Sequence, residues 1–233
     1  MNGSESEILF NNKSISSYFS ASRGSAAPGM GIVVVSAIFG VTDEMKKIAD
    51  DLALEGYPTV VPDMFWRIDP GPLPSDPAGY QQGIARAKDY DRDEGLQYVA
   101  AATDFLKLQP SCNGRIAIMG FCFGGAFALL GATRLGIDAS ISFHGTDVGR
   151  HLDEFPKATC PLSFHYGDND EVAPMSEVNR IIDACGELDN AEIFIYPGAQ
   201  HAYMFPSRGD IYDPGAAKLS WQRALEFLDR VRS

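Results

Sequence analysis

The sequence has few cysteines, and they are not arranged for cross-linking or for metal binding. Four occur in 233 residues, irregularly spaced and without a CxxC pair: Cys112, Cys122, Cys160 and Cys185. This pattern fits neither a disulfide framework nor a structural zinc site. We therefore expect reduced thiols, no metal or organic cofactor, and a cytoplasmic location.

Positive charge is also scarce. The chain has 19 Lys and Arg against 31 Asp and Glu, which gives a formal net charge of −12. Nucleic-acid phosphates and anionic membranes are both bound through clustered Lys and Arg. The composition therefore predicts no nucleic-acid and no membrane partner. We expect a small-molecule ligand and a monomer or small homo-oligomer.

Long apolar runs and linkers are missing as well. No stretch approaches the ~18 apolar residues that a membrane-spanning helix requires. The N-terminal MNGSESEILF has no basic segment followed by an apolar run, so it is not expected to be a signal peptide. Because no run of Gly, Ser, Pro or like charge divides the chain, we predict a single domain over residues 1–233.

Apolar strands and amphipathic helices alternate through most of the sequence. Gly31–Ser36 (GIVVVS) is a continuous β-branched run of the kind buried in parallel sheets. Thr42 is placed to cap a helix that has apolar residues at helical spacing and ends at Gly56. Later strands are predicted at Pro58–Pro62, Arg115–Met119, Ala139–Phe143, Leu162–Tyr166 and Glu192–Tyr196. Later helices are predicted near Glu94–Leu106, Gly125–Arg134, Met175–Leu188 and Gly215–Val231.

This alternation predicts an α/β protein with a doubly wound, mostly parallel sheet and helices on both faces. Ser14–Ser22 is predicted to be an antiparallel edge strand. Residues 63–90, rich in Pro, Gly and Asp, are predicted to form a long loop with a short helix. Ligands of such sheets bind at the carboxyl ends of the strands, so candidate site residues are sought in the loops that follow them.

One strand leads into a nucleophile elbow with cysteine in the serine position. Gly120-Phe121-Cys122-Phe123-Gly124 follows the strand Arg115–Met119 and opens a helix, as the G-x-S-x-G pattern requires. Glycines two residues from the nucleophile let strand and helix approach each other, and the positive end of the helix favours a thiolate. Elbow geometry also makes the backbone N–H of Phe123 an oxyanion donor. The alternative is a buried structural cysteine, which is common in cores.

A cysteine hydrolase also needs a histidine and an acid, in the chain order nucleophile, acid, histidine. His201 lies in the loop after the last strand and is our candidate base. His144 ends another strand at its carboxyl edge and has either a structural or a pocket-lining role. The turn GDNDEVAP offers Asp168, Asp170 and Glu171 as the acid, and the turn by itself does not choose among them.

The three segments GFCFGG, GDNDEVAP and PGAQHAYMF resemble the dienelactone hydrolase (carboxymethylenebutenolidase) family, an α/β-hydrolase family. AIFGVTDEMKKIADDLALEGYPTVVPDMF is similar to that family's first strand-loop-helix-strand unit, and the similarity covers about residues 28–230. The resemblance implies an ester or lactone hydrolase that works through a thioester acyl-enzyme without a cofactor. It makes Cys122 the nucleophile, His201 the base, Asp170 the residue that orients the imidazole, and the backbone N–H groups of Ile38 and Phe123 the oxyanion hole.

Two positions depart from the family pattern. Ala37 stands where many members carry a glutamate that helps convert the thiol to thiolate, and Phe205 stands where an arginine tends to bind the substrate carboxylate. Another arginine can supply that contact from elsewhere, and the candidates are Arg67, Arg86 and Arg150. The residues predicted to line the substrate pocket are Phe39, Trp66, His144, Tyr203 and Phe205. Two alternatives stay open: a broad-specificity carboxylesterase or thioesterase acting on neutral esters, and a ligand-binding α/β-hydrolase-fold receptor with slow turnover.

Overall fold

The computed structural model describes residues 3–22 and 27–232. Met1 and Asn2, which belong to the N-terminal segment considered above, lie outside these ranges. The Cα positions group into two compact units, Met1–Ile118 and Met119–Ser233. The single domain over residues 1–233 stays a prediction.

The first unit contains four strands, three helices and most of a fifth strand. The strands are β1 (Ser4–Phe10), β2 (Lys13–Ser20), β3 (Gly29–Val35), β4 (Thr59–Pro62) and β5 (Cys112–Phe121). The helices are α1 (Asp43–Leu54), α2 (Pro77–Lys88) and α3 (Arg92–Lys107). As predicted, the Thr42 side chain caps α1 by accepting a hydrogen bond from the Met45 N–H, and Gly56 follows the helix with φ +95°.

Two predictions for this unit need correction. β2 is not an edge strand, because β1 pairs with it on one side and β4 on the other, both antiparallel. The turn between β1 and β2 is Asn11-Asn12, both with positive φ, as two-residue hairpin turns require. The segment 63–90 contains a helix of 12 residues, α2, whose first turn is capped by Asp76. The aspartate cap followed by Pro77 is a helix-start signal that the composition of the segment obscured.

The second unit contains three parallel strands and three helices. They are α4 (Gly125–Arg134), β6 (Ala139–Phe143), β7 (Leu162–Gly167), α5 (Met175–Gly186), β8 (Ala191–Tyr196) and α6 (Pro214–Val231). β6, β7 and β8 pair in parallel, residue against residue, from Ser140–Leu162 to Gly167–Tyr196. Short 3-10 segments lie in the connections at Val148–Arg150, Leu152–Lys157 and Pro206–Ile211.

The sheet has eight strands in the order β1-β2-β4-β3-β5-β6-β7-β8. Its pairing is antiparallel at β1 and β2 and parallel between β3 and β4 and from β6 to β8. The predicted α/β class with a mostly parallel sheet is confirmed. None of the helices within the described ranges has the length and apolar character needed to cross a membrane.

Candidate active site

The turn at the end of β5 holds Cys122 in an unusual backbone conformation. Its φ is +53°, in the left-handed region that few non-glycine residues adopt. The turn is tight, because a Cβ on Gly120 would lie 2.0 Å from the Gly124 carbonyl oxygen. The Cys122 carbonyl accepts a hydrogen bond from the Thr146 N–H at 3.0 Å. A strained, fixed turn of this kind is the geometry that the elbow pattern predicts.

Cys122 is nearly buried and stands where the chain enters a helix. It is 9% exposed, and α4 begins three residues later at Gly125. A Cβ on Gly125 would lie 2.2 Å from the Gly145 Cα, so the start of α4 lies close to the segment that follows β6. That segment begins with His144. The elbow and the segment after β6 therefore lie against each other.

Asp170 and His201 are joined by a short hydrogen bond. The Asp170 Oδ2 lies 2.8 Å from the His201 Nδ1. The other carboxylate oxygen accepts the backbone N–H groups of Val172 and Ala173, each at 2.8 Å. Asp170 is 4% exposed, so both oxygens are fixed in a shielded position. A buried carboxylate held in this way fixes the orientation of the imidazole.

The same contacts decide among the three acids of this turn. The Asp168 carboxylate accepts the Gly198 N–H at 2.6 Å and so closes the turn before His201. Glu171 is exposed. Asp170 is the carboxylate that contacts the histidine.

The groups around His201 raise its pKa above the ordinary value. Burial lowers the pKa of His201. The charge of Cys122 and the hydrogen bond and charge of Asp170 raise it by a larger amount, so that the pKa is about 10 instead of 6.5. The His201 Nε2 is buried and has no hydrogen-bond partner of good geometry among the described residues.

The His144 ring packs directly on His201. The two ring centroids are 4.9 Å apart and the rings are nearly perpendicular. His144 is fully buried, and neither of its ring nitrogens has a hydrogen-bond partner within the described part of the chain. Burial, and then the charges of His201 and Arg208, hold the pKa of His144 well below 6.5. His144 is therefore a neutral ring with an unused donor and acceptor beside His201.

Known proteins are similar to this chain over most of its length. Residues 15–232 match the sequence profile of the Dienelactone hydrolase family. A carboxymethylenebutenolidase of Pseudomonas putida is 31% identical over 228 residues, which cover 94% of this chain and 96% of that protein. The chain belongs to the dienelactone hydrolase family. It is a hydrolase of dienelactone-hydrolase type with the α/β-hydrolase fold.

A more distant relative and a solved structure are also similar to this chain. A putative carboxymethylenebutenolidase of Saccharolobus solfataricus is 27% identical and covers 88% of this chain and 90% of its own. The structure of a putative dienelactone hydrolase from Klebsiella pneumoniae superposes with a TM-score of 0.86 at 24% identity, covering 97% of this chain and 98% of that one. At that identity the structural likeness supports the fold alone.

This member of the family has an aromatic ring, Phe205, at the position where the resemblance implies an arginine. Phe205 is 6% exposed and packs on Phe121 and His144, with both centroid distances 5.7 Å. Tyr203 is fully buried and packs on Tyr196 at 5.5 Å. The position therefore forms part of an aromatic cluster beside His201 and offers no cation to a substrate.

The three arginines considered as replacements all have other partners. Arg67 forms an ion pair with Glu94, and Arg150 lies 3.1 Å from Asp147. The Arg86 guanidinium is buried against backbone carbonyls, among them that of Ile38. The structure thus gives none of the three an uncommitted guanidinium.

Two further predicted pocket residues lie in the first unit. Trp66 is half-buried and packs edge-to-face on Tyr98 at 5.6 Å. Phe39 is half-buried, and its carbonyl accepts the Leu73 N–H at 2.9 Å. Their place in a substrate pocket stays a prediction.

Two residues near the site were missed in the sequence. Phe121, the variable residue of the elbow, stacks on Phe143 at 5.0 Å and supports the ring of Phe205. Arg208, seven residues after His201, is near enough for its charge to lower the pKa of His144. Position within the elbow was a signal for Phe121. For Arg208 the sequence shows only a basic residue in a polar loop.

Proposed function

We propose that this protein cleaves an ester or lactone by Cys-His-Asp catalysis through a thioester on Cys122. The observation that carries the proposal is the connected set of charges in the second unit. Asp170 is hydrogen-bonded to His201, whose pKa is about 10 because the Cys122 charge and Asp170 outweigh burial. An imidazolium paired with a thiolate on an elbow is a preformed nucleophile and general acid.

In the proposed cycle the Cys122 sulfur attacks the acyl carbon, and the carbonyl electrons move to the oxygen. The N–H of Phe123 is proposed to bind that oxyanion, and one such donor typically contributes ~2.7–4 kcal/mol to lowering the barrier. The second donor that the resemblance implies, the Ile38 N–H, stays a prediction. The oxyanion collapses, the C–O bond to the leaving group breaks, and the alkoxide takes the proton from His201. Neutral His201 then removes a proton from water, hydroxide attacks the thioester, and the thiolate leaves.

The thiol should be reactive before any substrate binds. Ala37 supplies no carboxylate at the position where many family members have glutamate, so activation rests on His201 and the start of α4. Burial raises the pKa of Cys160 to about 11 and that of Cys185 to about 12, which leaves both as neutral, unreactive thiols near neutral pH.

Mass spectrometry tests this proposal directly. Iodoacetamide at neutral pH is expected to add one carbamidomethyl group, on Cys122, and to abolish hydrolysis in proportion. Rapid quenching during turnover of a slow ester should give an acyl adduct on the same residue. Labelling confined to other cysteines would refute the nucleophile assignment. An adduct that forms but is not released would favour the slow-turnover receptor.

The aromatic cluster around Phe205 predicts a preference for neutral substrates. A carboxylate beside Phe205 and His144 would lose its hydration without gaining an arginine contact. We expect kcat/KM for a methyl ester to exceed that for the corresponding free-acid lactone or ester by about tenfold or more. An unpaired buried charge raises the free energy of the bound acid by at least ~1.4 kcal/mol, and that amount corresponds to a factor of ten. This result would favour the broad-specificity carboxylesterase within the proposed class.

The comparison needs matched substrates and two variants. Each acid and its methyl ester should share one acyl group and one leaving group, so that only the charge differs. A preference for the free acid that disappears in Arg67→Met or Arg208→Met would show that an arginine binds the carboxylate and that the pocket is misassigned.

A further inference from the structure

His144 directly follows β6 in a strained backbone conformation. Its φ is +38°, in the left-handed region that few non-glycine residues adopt, and its backbone N–H donates to the His165 oxygen at 2.7 Å. The next residue packs against the start of α4, since a Cβ on Gly145 would lie 2.9 Å from the Gly125 Cα. The backbone thus holds the His144 ring in a fixed position. Strain of this kind is concentrated at functional positions.

The two nitrogens of the His144 ring are buried and lack a hydrogen-bond partner within the described residues. Aromatic rings surround them: Phe205, Tyr203 and Phe121 pack on His144 with centroid distances of 5.7, 5.9 and 6.3 Å. A phenylalanine would fit such a cluster without leaving polar atoms unsatisfied, and an unsatisfied buried polar group is costly. The nitrogens therefore indicate a polar ligand at this position.

His165 is a second buried histidine of the same unit, and its nitrogens are satisfied. Its Nδ1 lies 2.8 Å from the Tyr196 hydroxyl oxygen, and its Nε2 lies 3.2 Å from the Ser163 Oγ. Its ring stacks on Phe143 with the centroids 4.6 Å apart. Burial lowers the pKa of His165 to about 3, so both histidines are neutral. Burial alone therefore does not explain why the nitrogens of His144 lack partners.

The polar ring in contact with His144 is that of His201. The two centroids are 4.9 Å apart, and the His201 Nε2 is buried. In the proposed cycle His201 loses its proton during acylation and must take one from water during deacylation. Adjacent rings at this separation can share one water molecule, because each hydrogen bond spans ~2.7–3.2 Å. A neutral imidazole has one acceptor nitrogen, so the two rings can accept the two hydrogens of the same water.

We propose that His144 is a second catalytic histidine, which accepts a hydrogen bond from the water that hydrolyses the thioester on Cys122. The inference rests on the proposed function, since the thioester exists only within it. The water donates its other hydrogen to the His201 Nε2, which leaves an oxygen lone pair free to attack the acyl carbon. As the new C–O bond forms, this proton passes to His201. The C–S bond then breaks, and Cys122 leaves as the thiolate.

His144 takes no proton in this step. Burial and the charges of His201 and Arg208 hold its pKa well below 6.5, so its acceptor nitrogen stays available to water near neutral pH. A protonated ring would have no acceptor.

The test separates deacylation from acylation. His144→Phe keeps an aromatic ring and removes both nitrogens. The substrate is a neutral p-nitrophenyl ester, because nitrophenolate leaves as an anion without a proton from His201. We expect the rate constant for deacylation to fall roughly 10- to 100-fold and that for acylation to change by less than about threefold. Stopped-flow absorbance should then show a nitrophenolate burst, and mass spectrometry an accumulating acyl adduct on Cys122.

Two further variants separate a hydrogen bond from packing. His144→Asn keeps a side-chain donor and acceptor and tolerates the positive φ, so it should restore part of the deacylation rate. His165→Phe is the matched control, because it removes two satisfied nitrogens from the same unit. It should lower the unfolding temperature without changing the ratio of deacylation to acylation.

The proposal is overturned if His144→Phe has the same ratio of deacylation to acylation as the wild-type enzyme, since His144 then only packs. A wild-type enzyme that forms no acyl adduct on Cys122 and resists iodoacetamide would instead refute the nucleophile assignment. The two failures therefore give different patterns.

Discussion

Replacement of Cys122 by alanine is expected to lower kcat/KM for ester hydrolysis by about 10⁴-fold or more, since removing the attacking atom abolishes the covalent route. The oxyanion donors and the binding pocket remain in this variant, so a small residual rate above the uncatalysed reaction is expected. The rate should be measured with a chromogenic neutral ester, and folding should be checked by thermal unfolding. The pKa of His201 should also fall, because the Cys122 charge is among the causes that raise it.

Cys160→Ala provides the control for this variant. Cys160 is 5% exposed and buried in the same unit, and burial raises its pKa to about 11. Its loss should reduce stability through a small cavity without altering kcat/KM. If Cys122→Ala instead keeps a substantial share of the wild-type rate, another group attacks the substrate and the thioester route is wrong.

Elements could be predicted from the sequence where burial controls the residue type. Gly125–Arg134 and Ala139–Phe143 have the predicted bounds, because the helix is buried from Gly125 to Ala132 and all five residues of the strand are buried. β1 could not be recognised in the same way. Its sequence SESEILF is half polar, and only Ile8 is fully buried, so its pairing with β2 decides its conformation.

The candidate site could be predicted down to the choice between neighbouring residues. Elbow spacing identified Cys122, and loop position identified His201, but the turn after β7 carries Asp168 and Asp170 with equal chemistry. Only the three-dimensional hydrogen bonds separate them, one carboxylate contacting Gly198 and the other His201. The resemblance implies Asp170, and Asp170 is the carboxylate that contacts His201.

The burial of Arg86 could not be predicted, for a physical reason. A basic residue in a polar segment is normally solvated, and the sequence does not show that the carbonyls of Ile38, Asp69 and Gly71 converge where its side chain can reach. Burial of the guanidinium depends on the close approach that Gly40 and Gly83 permit. Such an arrangement arises from tertiary packing and leaves no periodic signal.

Asp170→Asn is expected to lower kcat/KM by ~10²–10⁴-fold, because the wrong imidazole tautomer then faces the nucleophile. The asparagine oxygen would keep the N–H groups of Val172 and Ala173, which leaves its amide N–H groups towards the His201 Nδ1. The imidazole would then accept at Nδ1 and carry its proton on Nε2. In that form it cannot take the thiol proton from Cys122.

The pH dependence gives this variant a second readout. In the wild-type enzyme the imidazolium persists up to a pH near its pKa of about 10, so kcat/KM should fall only above that pH. Asp170 raises that pKa by a hydrogen bond and by its charge, so its neutralisation should move the alkaline limb to lower pH. The alkylation rate of Cys122 at neutral pH should fall in parallel, because less thiolate is present.

Asp168→Asn is the control, because it makes the same chemical change in the same turn. The asparagine oxygen can still accept the Gly198 N–H, so kcat/KM, its pH profile and the alkylation rate should stay unchanged. Equal, mild effects of the two substitutions would show that Asp170 does not orient the base.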